Sequence, residues 1–224
     1  MTRDAAYVVR DETAKKFDEW AHNGKAEEME REHTNSVTEM LRSARFGDGF
    51  TFLDVGCGSG WVVRKVARHP GCSESVGIDK SPEMICRARS DPRNTGKERY
   101  LCTDIERWPY RGRKFDHIFA MESIYYANSI ESALTKIYGM LKPGGVFLCG
   151  TDFYAENAAT KRWPASMGVT MHLHSEEEWR ALFAGAGFRT RLRHIRDPAG
   201  RTVWKREIGT LFITGTKQPP APNT

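Results

Sequence analysis

The sequence has few of the features that mark secreted, membrane-spanning or metal-clustered proteins. Its five cysteines are odd in number and form no Cys-x-x-Cys pair, so we expect neither a disulfide framework nor a structural zinc site, and no metal. No run of 18 apolar residues occurs, and the first residues lack the apolar core of a signal peptide. We therefore expect a soluble protein of the reducing cytoplasm, without a membrane partner.

The chain also lacks strong charge, internal repeats and low-complexity segments. Its 224 residues carry a formal net charge of +5, and the basic residues are scattered apart from a modest cluster at 189–206. This balance permits an anionic substrate, but a nucleic-acid partner is not expected. A length of 224 residues with 39% hydrophobic residues predicts one sizeable globular α/β domain.

The chain is organised around a glycine-rich turn that follows an apolar run at 50–53. The turn has the pattern Asp54-x-Gly56-x-Gly58-x-Gly60, and a segment with helical spacing begins directly after it. Glycines at alternate positions let the backbone bend sharply and approach a ligand closely. Strand, glycine turn and helix together predict a cradle for a nucleotide-like cofactor.

The spacing of the glycines argues against a dinucleotide. The G-x-G-x-x-G pattern requires a third glycine at position 61 or 63, where Trp61 and Val63 stand. The carboxylate of Asp54 would repel a pyrophosphate but would attract a cationic amino group.

Two further acids follow predicted strands. Asp79 ends the strand 75–78, about 20 residues beyond the turn, where an acid can accept both hydroxyls of a ribose; capping of the next helix is the alternative role. Asp104 follows the strand 99–102 and, as an alternative, could simply close a turn.

The chain then alternates strand and helix to a final pair of strands at 188–195 and 203–216, predicted as a hairpin with its turn at 197–200.

This order of motifs, with Leu-Lys-Pro-Gly-Gly at 141–145, resembles the class I S-adenosylmethionine-dependent methyltransferases over about residues 50–216. The resemblance implies a single three-layer, Rossmann-like α/β domain. Its mostly parallel seven-stranded sheet would have the order 3-2-1-4-5-7-6, with strand 7 antiparallel. It implies S-adenosylmethionine as cofactor and S-adenosylhomocysteine as product. The predicted cofactor-binding residues are Trp20, Asp54, Gly56, Cys57, Gly58, Gly60, Asp79, Lys80, Met84, Asp104, Ile105 and Met121.

Three regions are expected along the chain. Residues 1–48 form a helical cap or lid, with helices from Thr13 to Trp20 and from Lys25 to Arg45 that could equally be an amphipathic pair packed on the sheet. Residues 49–217 form the cofactor-binding domain, and the proline-rich tail 218–224 is expected to be disordered.

The acceptor is predicted to bind after strands four and five, at the carboxyl edge of the sheet. The predicted substrate residues are Glu122, Tyr125, Tyr126, Tyr154, Trp163 and His174, whose aromatic rings could form a wall, or a cage for an amine, or could serve packing alone. His172 is the predicted catalytic base because histidine titrates near neutral pH, and Glu122 would orient the substrate. Alternatively, His172 and His174 are surface residues, and catalysis depends on positioning of the substrate alone.

The segment after strand four, Met121 to Tyr125, lacks the Asp/Asn-Pro-Pro-Tyr motif that enzymes methylating DNA bases commonly have at this place. We therefore expect a methyltransferase for a small-molecule acceptor with an oxygen, nitrogen, sulfur or carbon nucleophile. An RNA or protein methyltransferase, or a non-catalytic protein that binds S-adenosylmethionine, are the alternatives. The oligomeric state stays open at this point.

Overall fold

The computed structural model describes residues 11–219, and its centre is one sheet of seven strands. Residues 1–10 of the expected cap and 220–224 of the expected tail lie outside the described range. The strands are β1 (Phe50–Val55), β2 (Cys72–Asp79), β3 (Glu98–Cys102), β4 (Phe115–Met121), β5 (Leu141–Thr151), β6 (Arg189–Ile195) and β7 (Thr210–Thr216).

Eight α-helices occur in the described range. They are α1 (Glu12–His22), α2 (Lys25–Ser43), α3 (Trp61–Ala67), α4 (Pro82–Ser90), α5 (Ile130–Met140), α6 (Trp163–Met167), α7 (Glu176–Gly185) and α8 (Val203–Glu207). Short 3-10 helices at Ile124–Tyr126 and Ala158–Thr160 interrupt the segments after β4 and β5. None of the helices within residues 11–219 combines the length and the apolar character that a bilayer crossing requires.

The strand order is β3-β2-β1-β4-β5-β7-β6, as predicted. The first five strands are parallel, and β7 runs antiparallel to both β5 and β6. Because side chains alternate along a strand, the sheet buries two apolar faces. Helices α2 and α3 cover one face with residues such as Met40 and Val66, while α5 and α7 cover the other with residues such as Leu134 and Phe183. The result is the three-layer architecture.

The local signals in the sequence account for most element boundaries. Ser81 caps α4 through a hydrogen bond from the Met84 N–H, with Pro82 in the first turn. Ser175 and Glu178 form a reciprocal capping box at the start of α7. Both helices therefore begin at a serine whose side chain caps the first turn.

The predicted hairpin is correct in its pairing and in its first strand, but the first half of its second strand, predicted at 203–216, is wrong. Residues Val203–Glu207 are helical, and β7 begins only at Thr210. Gly209 adopts a φ of 84°, which resets the backbone between the helix and the strand. The Lys205 ammonium group donates to the Glu32 carbonyl of α2, so tertiary contacts outweigh the local strand preference of this segment.

Candidate functional site

The glycine turn after β1 needs glycine for two different reasons. At Gly56, φ is 77° and an added Cβ would lie 2.3 Å from the Ser123 Cβ, so no larger residue fits. At Gly58, φ is 51° and an added Cβ would meet only the Met84 sulfur, at 4.0 Å. The N–H groups of Gly56 and Cys57 both donate to the Ile78 carbonyl, at 2.8 and 3.0 Å. The turn is therefore anchored to β2, and its middle borders open space.

Two buried carboxylates face this turn. Asp79 accepts from the Gly58 N–H and the Ser81 N–H, each at 2.8 Å, so it joins the glycine turn to the start of α4. Asp54, at the end of β1, is 2% exposed. Burial and, to a lesser degree, the neighbouring Asp79 raise the pKa of Asp54 well above its ordinary value. A cation placed here would favour the charged form of this carboxylate.

A cavity of about 480 Å³ opens above the carboxyl ends of β1, β2 and β4. This volume falls within the usual range for small-molecule sites, about 300–1,000 Å³. The cavity brings together most of the predicted site residues: Trp20, Asp54, Gly56, Cys57, Gly58, Asp79, Lys80, Met84, Asp104, Ile105, Met121, Glu122, Tyr125, Tyr126 and Trp163. Gly60 is not among the lining residues, because it lies under the turn, where an added Cβ would meet Tyr100 at 2.6 Å.

The N-terminal helices contribute the outer wall of this cavity. Phe17 of α1 packs edge-on against Trp20 and against Tyr126, with ring centroids 5.2 and 5.4 Å apart. Lys80 reaches from the end of β2 to Asp11 at 2.8 Å and to Asp104 at 3.8 Å. These contacts link the helical segment to the residues that surround the glycine turn.

The far end of the cavity holds a buried polar cluster, which we define as His33, Glu122 and Asp152. The Asp152 N–H and the Tyr125 hydroxyl each donate to Glu122, the latter at 2.8 Å. Burial and the adjacent Asp152 carboxylate raise the pKa of Glu122 well above its ordinary value. Glu122 also adopts a φ of 53°, an uncommon conformation for a residue with a side chain. Lys205 lines the same end of the cavity.

The structure does not bring His172, His174 or Tyr154 to the cavity, so the expected placement of these three is corrected. The backbone N–H of His172 donates to the Tyr125 carbonyl at 3.0 Å, but the residue does not line the cavity. His174 lies in a separate surface groove beside Glu178 of α7. The Tyr154 side chain is fully buried, and its hydroxyl donates to the Gly209 carbonyl. It therefore packs in the core instead of forming an aromatic wall.

On the interpretation of the N-terminal helices as a lid, the sequence indicated that His33 could be carried towards the site, but it did not select Asp152 or Lys205 as site residues. Asp152 directly follows β5 at the carboxyl edge of the sheet, which was a usable signal. His33 and Lys205 lie on α2 and α8, and only their tertiary placement brings them to the cavity.

Known proteins with similar sequences and folds identify the family. A methyltransferase-domain family model matches residues 53–149. A chain from the solved complex between the Haloferax volcanii Trm112 methyltransferase activator and a methyltransferase is 30% identical, with a TM-score of 0.85, covering 94% of this chain and 99% of that one. This chain belongs to the class I S-adenosylmethionine-dependent methyltransferases.

Curated relatives of this methyltransferase match over shorter stretches. The malonyl-[acyl-carrier protein] O-methyltransferase of Enterobacter lignolyticus is 31% identical over 56% of this chain and 47% of its own length. The sterol 24-C-methyltransferase of Schizosaccharomyces pombe is 34% identical over 44% of this chain and 27% of its own length. The matched part is thus less than half of each relative.

The fold itself hosts other chemistry as well. The [4+2]-cyclase SpnF has a TM-score of 0.67 at 20% identity, covering 82% of this chain and 80% of that one. Membership of the family establishes a methyltransferase with S-adenosylmethionine as cofactor, and the acceptor has to be argued from the cavity.

Proposed function

We propose that this methyltransferase transfers the methyl group of S-adenosylmethionine to a small-molecule acceptor held at the polar end of the cavity. The observation that carries the proposal is the cavity's shape: one volume of about 480 Å³ runs from the glycine turn to His33 and Glu122, beneath Phe17 and Trp20. A small acceptor would lie wholly inside such a space beside the cofactor, whereas a polymer would have to extend a single base or side chain into it.

The cofactor half of the cavity has one acid each for the amino group, the ribose and the adenine of S-adenosylmethionine. Asp54 would attract the cationic amino group, and its carboxylate disfavours a pyrophosphate at the same place. Asp79 would accept the ribose hydroxyls with charge-assisted hydrogen bonds. Asp104 and the Ile105 N–H would contact the adenine, as the family resemblance implies, with Met84 beside the ring.

The acceptor half of the cavity, next to Glu122, would orient the acceptor. Tyr125, Tyr126 and Trp163 form its aromatic side, and Glu122 lies at its end. Methyl transfer is a one-step displacement: the acceptor's lone pair bonds to the methyl carbon, the carbon–sulfur bond breaks, and its electron pair stays on sulfur. Because the donor is already activated, correct placement of the acceptor supplies much of the catalysis.

The test is transfer of a labelled methyl group. The protein is incubated with radiolabelled S-adenosylmethionine and a cell extract separated by size into small molecules, RNA and protein. We expect label in the small-molecule fraction and none with heat-treated enzyme. Label confined to RNA or to protein would contradict the proposal and would favour a polymer methyltransferase.

We also propose that this chain forms a complex with a Trm112-like activator protein. The support is the likeness to the methyltransferase complex named above, at 30% identity over 99% of that chain. Co-expression of this chain with Haloferax volcanii Trm112, followed by size-exclusion chromatography, tests it. Co-elution at equal stoichiometry is expected, and separate elution of two folded proteins would contradict it.

A further inference from the structure

The polar cluster of His33, Glu122 and Asp152 gathers one imidazole and two carboxylates beside the cavity. One potential ligand atom from each residue lies within 4.8 Å of the others. The His33 Nε2 and the Asp152 Oδ2 are 3.4 Å apart, and the side chains of these two residues are 9% and 1% exposed. Burying two acids together is costly unless a positive charge or a proton accompanies them.

Asp152 has one oxygen without a hydrogen-bond partner. Its Oδ1 accepts from the Thr210 hydroxyl at 2.6 Å, whereas its Oδ2 is fully buried and accepts no hydrogen bond from any residue within 11–219. Buried carboxylate oxygens are almost always bonded in native proteins, so an orphaned one calls for an explanation. This oxygen lies 3.4 Å from the His33 Nε2, and both residues are among those that line the cavity.

The nearby lysine is engaged elsewhere. The Lys205 ammonium group donates to the Glu32 carbonyl at 2.8 Å and lies 3.6 Å from the Glu32 carboxylate. Its charge is therefore shared with an acid outside the cluster, and within the cluster only His33 could carry a positive charge that balances Glu122 and Asp152.

We propose that His33, Glu122 and Asp152 bind a divalent transition-metal cation, such as Mn²⁺ or Zn²⁺. Imidazole nitrogen with carboxylate oxygens is a donor set that these ions accept. Two ligands about 2.1 Å from one ion at a tetrahedral angle are about 3.4 Å apart, which matches the separation of the His33 and Asp152 atoms. Glu122 offers a carboxylate oxygen within 4.8 Å of a ligand atom from each of these two residues. This departs from the sequence-based expectation of no metal.

The ion would face the cavity with its remaining coordination positions. This step rests on the proposed function. An oxygen or nitrogen atom of the small acceptor would fill these positions. A coordinated hydroxyl loses its proton more readily than a free one, so the ion would both hold and activate an oxygen nucleophile. The proton would pass to solvent, and the lone pair on oxygen would then attack the methyl carbon.

The experiment titrates metal-stripped full-length protein with Mn²⁺ and follows free Mn²⁺ by electron paramagnetic resonance. We expect one tight site per chain in the wild type. His33→Gln and Asp152→Asn should each weaken Mn²⁺ binding by at least about tenfold. His194→Gln is the matched control, because His194 pairs with Glu176 at 2.8 Å and lies outside the cavity lining.

Separate readouts keep the metal site distinct from the proposed function. Circular dichroism checks that each variant is folded. If Asp152→Asn does not fold, the comparison of wild type with His33→Gln decides the result. Calorimetric titration with S-adenosylmethionine reads the cofactor site independently of any metal. Absence of a Mn²⁺ site and of a Zn²⁺ site in the wild type, or equal affinity in wild type and His33→Gln, would overturn the proposal. Thermal protection by methylammonium with none by Mn²⁺ would likewise overturn it and assign the cluster to an amine.

Discussion

The glycine turn allows a substitution that separates ligand binding from folding. In Gly58→Ala the new methyl group would project into the cavity, since only the Met84 sulfur lies within 4 Å of it. The matched control is Gly144→Ala. Gly144 also has a positive φ, 80°, and an added Cβ there meets no atom within 4 Å among residues 11–219. Both variants therefore acquire the same kind of backbone strain without a clash inside the protein.

The expected magnitudes follow from this comparison. A left-handed conformation costs an L-residue about 1–2 kcal/mol. For a domain of this size each kcal/mol lowers the melting temperature by about 2–4 °C, so both variants should melt roughly 2–8 °C below the wild type. Only Gly58→Ala places a methyl group where the cofactor must approach the turn. We expect it to lose at least about tenfold in affinity for S-adenosylhomocysteine, which is about 1.4 kcal/mol.

Thermal unfolding and calorimetric titration of the two variants and the wild type measure both quantities. Gly144→Ala should bind S-adenosylhomocysteine with the wild-type affinity. If Gly58→Ala binds as tightly as Gly144→Ala, the turn does not contact the cofactor and the assignment of this half of the cavity is wrong.

Three other predictions concern the same half of the cavity. Asp79→Ala should weaken S-adenosylmethionine binding at least about tenfold by calorimetry, because charged acceptors make strong hydrogen bonds; unchanged affinity would leave Asp79 as a helix cap alone. Because burial raises the pKa of Asp54 in the ligand-free protein and a cationic amino group would lower it, affinity should rise as pH increases through that raised pKa. Calorimetry in two buffers of different ionisation heat should then detect proton release on binding, and identical heats would refute the Asp54 contact. Amides of 11–43 should exchange more slowly with S-adenosylhomocysteine bound, and equal exchange in both states would refute a lid.

The sheet and the cofactor half were predictable from sequence because their signals are local. Alternating strands and helices, the glycine spacing and an acid at each strand end depend on neighbouring residues, and parallel strands bring such ends to one edge. Asp54, Asp79 and Asp104 accordingly lie around one cavity, as expected.

The acceptor half was less predictable because it is assembled from distant segments. His33 comes from α2, Asp152 from the end of β5 and Lys205 from a helix that the sequence predicted as a strand. His172 lies in the segment after β5 that was expected to close over the acceptor, but it is not among the residues that line the cavity. Local patterns cannot determine which side of a long connection faces a cavity.

If the cavity above the glycine turn binds S-adenosylmethionine through acids that exclude a dinucleotide, the purified protein should distinguish these ligands in solution. Calorimetric titration with S-adenosylmethionine, S-adenosylhomocysteine and NAD measures this. We expect one molecule of S-adenosylmethionine or its product bound per chain, with no heat from NAD. Saturable NAD binding without a response to S-adenosylmethionine would contradict this expectation.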